Sequence, residues 1–274
     1  MKTITYKGGN KLKKISLLML LMAVLLIMAA CGSDDAADDS NGSSGEDGSG
    51  SETYTVGIDT TYPPFEFEVD GEYTGIDIDL INAIAENQGF EIEFSPMDFS
   101  GIIPALQAGQ LDIAIAGMSI TDERKNVVDF SDPYFEAGLT LVVSSDNNEI
   151  ETLEDLEGKT VAVKSGTTGA EFARANESEY GYTISQFEDS PSMFQEVSNG
   201  NADVLIEDYP VIAYAIAESG LDLKTVGDRL NGDQYGIAVL KGENAEVLEQ
   251  INAGLQELRD SGEYDEILNK YIAE

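Results

Sequence analysis

Residues 112–124 read DIAIAGMSITDER, and the change of character halfway along them decides the fold. The apolar run predicts a buried strand at Asp112–Ala116, and Gly117 marks its end. Gly117, Met118 and Ser119 then lie just past the strand, with Thr121 and, about one helical turn after the strand end, Arg124. The same pattern recurs along the chain. Strands are expected at Tyr54–Ile58, Glu91–Phe94, Leu139–Val143, Thr160–Val163, Asp203–Ile206 and Tyr235–Val239. Helical spacing appears between them: Ile76, Leu80, Ile81, Ile84 and Ala85 stop at Gly89, and Val247, Leu248, Ile251, Leu255 and Leu258 stop before Gly262. This alternation argues for an α/β fold with largely parallel sheets.

In open α/β sheets ligands bind beyond the carboxyl ends of the strands. Four separate strand ends carry groups able to hydrogen-bond or ion-pair: Asp59, the Gly117–Ser119 segment, Lys164 with Thr167 and Thr168, and Glu207 with Asp208. That coincidence predicts a small-molecule site. A guanidinium fork at Arg124 suits a carboxylate, although the same arginine is equally placed to pair with Asp122 or Glu123 beside it. Asp208 is the natural acceptor for an ammonium, assisted by Ser119, Thr121 and the Gly117 carbonyl. Thr167 and Thr168 open a helix after a glycine-containing turn, where free N–H groups receive anions. Tyr62 and Phe99 either cover the apolar part of a ligand or belong to the core.

The chain begins with five lysines and no acidic residue, then runs uncharged over the sixteen residues Ile15–Ala30. That is an export signal, shorter than the roughly 20 residues of a comfortable membrane span. Met28-Ala29-Ala30-Cys31 resembles the lipobox of bacterial lipoproteins, with methionine where leucine is usual. Cys31 is therefore expected to carry lipid after removal of residues 1–30. It is the only cysteine, so the exported protein is built without an internal disulfide. Residues 31–52 form an acidic Gly/Ser linker with nothing large to bury, expected to be a disordered tether.

The formal charge is −37, and without the five signal lysines the chain carries 10 basic against 52 acidic residues. Nucleic acid is excluded as a partner, because phosphate binding rests on Lys and Arg. The acidity otherwise reads as a solvated surface. There is no histidine and no nucleophile elbow. The Gly158-Lys159-Thr160 string lacks the glycine that a phosphate loop needs at position 153, where Leu153 stands. An enzyme is not expected, and neither a metal nor a cofactor, although fold alone does not exclude enzymatic or sensory relatives.

The stretch MDFSGIIPALQAGQLDIAIAGMSITDERKNVVDFSDPYF at 97–135, with DTTYPPFEF, GIDIDL, TVAVKSGT and DQYGIAVLKG, resembles the polar amino acid-binding proteins of ABC importers, the glutamine binders most of all. The resemblance implies a two-lobed fold of the periplasmic-binding-protein type, with two hinge crossovers and the ligand in the cleft between the lobes. Residues 53–133 and 236–274 would form lobe 1 and residues 138–233 lobe 2, hinged near Phe135–Leu139 and Gly232–Gly236. It further implies that Arg124, Ser119 and Thr168 take the ligand carboxylate, and that Asp208, Gly117 and Ser119 take the ammonium. Asp59 and Lys164 would meet the side-chain amide, and Tyr62 and Phe99 would flank the carbon chain. Glu207 stands where a glutamine binder has histidine. An extra carboxylate there favours a cationic ligand unless it points away, so arginine, lysine, ornithine, histidine and cystine stay open. The expected protein is a monomeric receptor anchored to the outer face of the cell membrane, delivering a free amino acid to its permease.

Overall fold

The structure, a computed structural model, describes residues 52–272. The expected signal peptide, Cys31 and almost all of the expected linker lie outside the described residues. The chain opens with β1 (Thr53–Ile58), continues through a small antiparallel sheet of β2 (Thr61–Tyr62), β3 (Glu66–Val69) and β4 (Glu72–Thr74), and reaches the helix Ile76–Gln88. β5 (Glu91–Pro96), the helix Phe99–Gln107, β6 (Ile113–Ala114) and β7 (Val128–Phe130) follow. β8 (Phe135–Glu136) leads into β9 (Leu139–Ser144), β10 (Thr160–Lys164), β11 (Thr183–Phe187), β12 (Val204–Asp208) and β13 (Leu223–Val226), interleaved with the helices Thr168–Tyr180, Ser190–Ser198 and Tyr209–Ser219. β14 (Gln234–Tyr235) and β15 (Ala238–Leu240) return the chain, and the helices Ala245–Ser261 and Glu263–Tyr271 close it.

The strands form two five-stranded sheets, ordered β5-β1-β6-β15-β7 and β11-β10-β12-β9-β13. Each builds a lobe on the same plan. In the first sheet β1 runs parallel to β5 and β6, whereas β15 is antiparallel to both β6 and β7. In the second, β10 runs parallel to β11 and β12, and β9 is antiparallel to β12 and β13. The sheets are thus mixed rather than largely parallel. The cause is the two crossings: β9 and β15 follow directly on β8 and β14, the two strands that pair between the lobes. A strand entering from the side where the parallel strands end must run against them.

The expected Tyr235–Val239 strand is accordingly two pieces, one in the crossover ladder and one in the first sheet, with Gly236 donating its amide to the Met118 carbonyl between them. The Asp112–Ala116 strand keeps ladder pairing only over Ile113–Ala114. Alternation still sorts its side chains. Ile113 and Ile115 face the helices Ile76–Gln88 and Ala245–Ser261 through Leu80, Ile81, Ile84, Ile251 and Leu255, all fully buried. Ala114 and Ala116 face Ile102 and Leu106 of the helix Phe99–Gln107. Each large aliphatic side chain so buried contributes about 1.5–3 kcal/mol. The expected helix from Ile76 ends at Gly89 with φ 77°, a left-handed cap.

Candidate functional site

The carboxyl ends of β1, β6, β10 and β12 converge on one narrow cleft between the two sheets. Tyr62, Phe99, Gly117, Ser119 and Arg124 line it from the first lobe, and Lys164, Thr167, Thr168 and Asp208 from the second. Asp59, Met118, Thr121 and Glu207 stand behind this lining. Met118 is fully buried in the core with Ile102 and Leu106. Thr121 accepts the Arg124 amide through Oγ1 at 3.1 Å, which starts the short 3-10 turn Arg124–Asn126.

Arg124 is 5% exposed, so the solvated pairing with Asp122 or Glu123 does not occur; Asp122 pairs with Lys125 instead. The guanidinium donates to the carbonyls of Ser119 at 2.8 Å and Gly166 at 3.1 Å. Its carbon lies 5.3 Å from the Phe99 ring centroid. Among the described residues no carboxylate lies within ion-pair distance of it. Burial pulls the Arg124 guanidinium down from its ordinary value, opposed by the charges of Glu171, Asp208 and Asp233.

Asp208 ends β12 and is 5% exposed. Its Oδ2 accepts the hydroxyls of Tyr62 and Tyr235, both at 2.8 Å. Its Oδ1 is buried and has no partner among the described residues. Burial raises the Asp208 carboxyl above its ordinary value, while the two phenols and Arg124 work the other way. Glu207 precedes it on the strand, and adjacent strand residues face opposite ways. Glu207 Oε2 therefore accepts from Ser190 at 2.9 Å, whereas Oε1 turns back to accept the Asp208 amide at 2.9 Å and shares the Tyr62 hydroxyl with Asp208, at 3.1 Å. Burial, then the Asp208 charge, push Glu207 up to about 7.

Lys164, 2% exposed at the end of β10, pairs across the cleft with Asp59 Oδ2. The other Asp59 oxygen accepts the amide and hydroxyl of Thr61 at 3.0 and 2.6 Å. The ammonium lies 4.6 Å from the Tyr62 ring centroid and 5.9 Å from that of Phe99, so aromatic faces share its charge. Thr167 caps the helix Thr168–Tyr180, accepting from Ala170 at 3.2 Å and donating to the Lys164 carbonyl at 2.7 Å. This leaves the N–H groups of the first turn ahead of Ala170 for an anion. The Thr168 hydroxyl reaches Ser119 Oγ at 3.5 Å.

Two glycines allow the approach. Gly166 has φ 75°, and a Cβ there would lie 3.0 Å from Ser100 Cα on the opposite lobe. Gly117 has φ 51°, and its Cβ would meet the Tyr62 ring at 2.6 Å. The lobes are thus held together by Asp59–Lys164, Tyr62–Asp208, Arg124–Gly166 and Ser119–Thr168 contacts.

Sequence reasoning missed Tyr235 and Asp77. Tyr235 is fully buried and orients Asp208 from the crossover. Asp77 Oδ2 accepts the Gly117 amide at 2.8 Å. A signal for Asp77 was present: with Leu80, Ile81 and Ile84 it sits at positions i, i+3, i+4 and i+7 of a buried stripe, where a carboxylate needs a reason.

The profile of the bacterial extracellular solute-binding proteins, family 3, matches residues 54–274. A probable histidine-binding protein of Neisseria gonorrhoeae is 36% identical over 227 residues, covering 81% of this chain and 84% of that one. Among solved structures, an ancestral arginine-binding protein bound to arginine is 46% identical with a TM-score of 0.76. An ancestral arginine-binding protein bound to glutamine is 46% identical with a TM-score of 0.75. Each of the two covers 81% of this chain and 98% of its own.

Proposed function

We propose, on the premise that this chain belongs to the bacterial extracellular solute-binding proteins, family 3, that it is the receptor of an ABC importer and closes on a free polar amino acid, glutamine first. Its two-lobed, periplasmic-binding-protein-like α/β fold suits that task, because a ligand between the lobes bonds to both and favours closure. The observation that carries the reading is the pairing of two unmet charges in one cleft. Among the described residues Arg124 is a buried cation bonded only to neutral carbonyls, and Asp208 is a buried carboxylate with one oxygen unpartnered. A zwitterion supplies the carboxylate for the first and the ammonium for the second, so neither charge stays buried alone.

The side-chain end of the site favours a neutral amide. Lys164 and Asp59 already neutralise each other there, and Glu207, the carboxylate that would favour a cationic ligand, lies outside the cavity lining with its oxygens engaged by Ser190, the Asp208 amide and the Tyr62 hydroxyl. A second cation about 4 Å from Lys164 would be opposed by roughly 4 kcal/mol at an effective dielectric of about 20, before the Asp59 charge offsets part of it. Glutamine has both a carbonyl for the lysine and an amide N–H for a carboxylate. A second reading, arginine, has in its favour that ancestral relatives are described bound to either amino acid. Cys31 would tether the receptor by lipid to the outer face of the membrane, within reach of its permease.

A thermal-shift screen of the protein against the twenty amino acids, followed by calorimetry, tests this. A ligand at 100 times its Kd stabilises the folded state by about 2.7 kcal/mol. Glutamine should give the largest shift. Arginine or histidine binding more tightly than glutamine would overturn the ligand assignment, and no shift with any amino acid would overturn the receptor reading.

A further inference from the structure

Behind the cleft the fold buries two more carboxylates against each other. Glu66, at the start of β3, and Asp77, in the first turn of the helix Ile76–Gln88, are both fully inaccessible. The backbone forces the meeting, since the amides of Ile76 and Asp77 donate to the carbonyls of Pro64 and Phe65 at 2.9 Å. The two carboxyl groups lie within hydrogen-bonding reach of each other. Both oxygens of Glu66 and Oδ1 of Asp77 nevertheless have no other donor among the described residues. Asp77 Oδ2 is fully engaged, accepting the Gly117 amide at 2.8 Å and the Tyr134 hydroxyl at 2.9 Å.

Two carboxylates sharing one buried site cannot both ionise, so one proton stays between them. It resides on Glu66, because the two donors on Asp77 favour the charged form there and Glu66 has none. We infer that Glu66 is a buried carboxylic acid that donates to Asp77, and that the pair is a positioning device which holds Gly117 in its left-handed conformation at the cleft and ties it to Tyr134 beside the interlobe crossover. Tyr134 takes part in that crossover, donating its amide to the Tyr235 carbonyl, and Tyr235 in turn donates to Asp208. One proton thereby fixes both the Gly117 wall of the site and the hinge side of the ammonium acceptor. The groups facing Glu66 are Asp77, Asp59 and Lys164, with Tyr134 on the far side of Asp77. Burial first, then Asp77 and Asp59, hold Glu66 well above the ordinary carboxyl range against the opposing Lys164 charge, while Asp77 is raised to about 6.

The effect on ligand rests on the reading of the cleft as an amino acid site, so the test has one arm with ligand and one without. In Glu66→Gln an amide replaces the acid, still donates to Asp77 and cannot ionise. Between the ordinary carboxyl value and the raised folded one, unfolded Glu66 has lost its proton and folded Glu66 has not, so the wild type loses stability as pH rises. The melting temperature of Glu66→Gln minus that of the wild type, both without ligand, should therefore climb steadily from pH 5 to pH 8. Titrating groups outside the pair, Glu207 among them, are common to both proteins and cancel, and Asp77 keeps a donor in both. A flat or falling difference overturns the proposal, whatever the ligand proves to be.

In the second arm, at pH 7, glutamine affinity in Glu66→Gln stays within about threefold of wild type, whereas Glu66→Ala, which leaves Asp77 Oδ1 without a donor, weakens it about tenfold. A folded Glu66→Ala protein that binds like Glu66→Gln overturns the positioning role. If Glu66→Ala does not fold, the pH profile of Glu66→Gln decides alone. A wild type that binds no amino acid sinks the receptor reading and leaves that profile to judge the pair.

Discussion

Asp208→Asn should move binding and stability in opposite directions. Asp208 Oδ2 holds two phenol hydroxyls at 2.8 Å, and Oδ1 has no donor among the described residues. An asparagine keeps the shape, but its single carbonyl oxygen must stay with Tyr62 and Tyr235. The amide nitrogen then occupies the Oδ1 position, where the proposed ammonium arrives, and two donors face each other. Losing one partner of a buried, hydrogen-bonded charge pair costs on the order of 2–5 kcal/mol. At 1.4 kcal/mol per tenfold that is roughly 30-fold to a few thousand-fold in Kd. Stability should change the other way. Burial raises the Asp208 carboxyl, so the wild type sheds stability as pH climbs from the ordinary carboxyl range through the raised folded value. A side chain that cannot ionise is spared this loss. The unliganded variant should melt at or above wild type at pH 7–8, and the advantage should vanish near pH 4. Calorimetry with glutamine and melting curves over that range measure both halves. Glutamine affinity within threefold of wild type, or an unliganded variant that melts several degrees below wild type at pH 8, would refute the reasoning.

Two further outcomes are expected. Lys164→Met removes the cation that neutralises Asp59 and leaves a lone carboxylate at the side-chain end, so the arginine-to-glutamine affinity ratio should rise by about tenfold or more; an unchanged ratio in competition calorimetry would place Lys164 outside the specificity site. The cross-cleft contacts Asp59–Lys164, Tyr62–Asp208 and Arg124–Gly166 bridge lobes joined through the β8–β14 ladder, so ligand should shift the chain toward this closed form. Small-angle scattering should report a smaller radius of gyration with saturating glutamine than without, and identical radii would count against hinge closure.

Part of the candidate site was legible because a strand end is a local signal: an apolar run followed by glycine, serine, threonine or a charge. Gly117, Lys164 and Asp208 were found this way, and the cavity gathers them. The helix from Ile76 to its left-handed stop at Gly89 was equally local, fixed by the 3.6-residue stripe and by the freedom of glycine. Strand direction was not local. Whether β9 and β15 run with or against their neighbours depends on the side from which the chain re-enters each sheet, and the mixed sheets follow from the crossover rather than from any property of those strands.

The sequence by itself determined the class of fold, the chemistry present at the strand ends and the family resemblance, because periodicity, turn residues and ordered motifs are properties of short segments. Only the tertiary structure decided how those groups use one another. It set Glu207 behind the cavity lining, between Ser190 and the Tyr62 hydroxyl, and it neutralised Asp59 with Lys164, a residue 105 positions later. It left one oxygen of Asp208 free beside a buried Arg124 that, among the described residues, no carboxylate meets. It also set Glu66 against Asp77, so that one carboxyl must keep its proton. The physical reason is common to all four: ionisation and hydrogen-bond satisfaction depend on burial and on partners distant in the chain, and neither exists until the two sheets have closed around them.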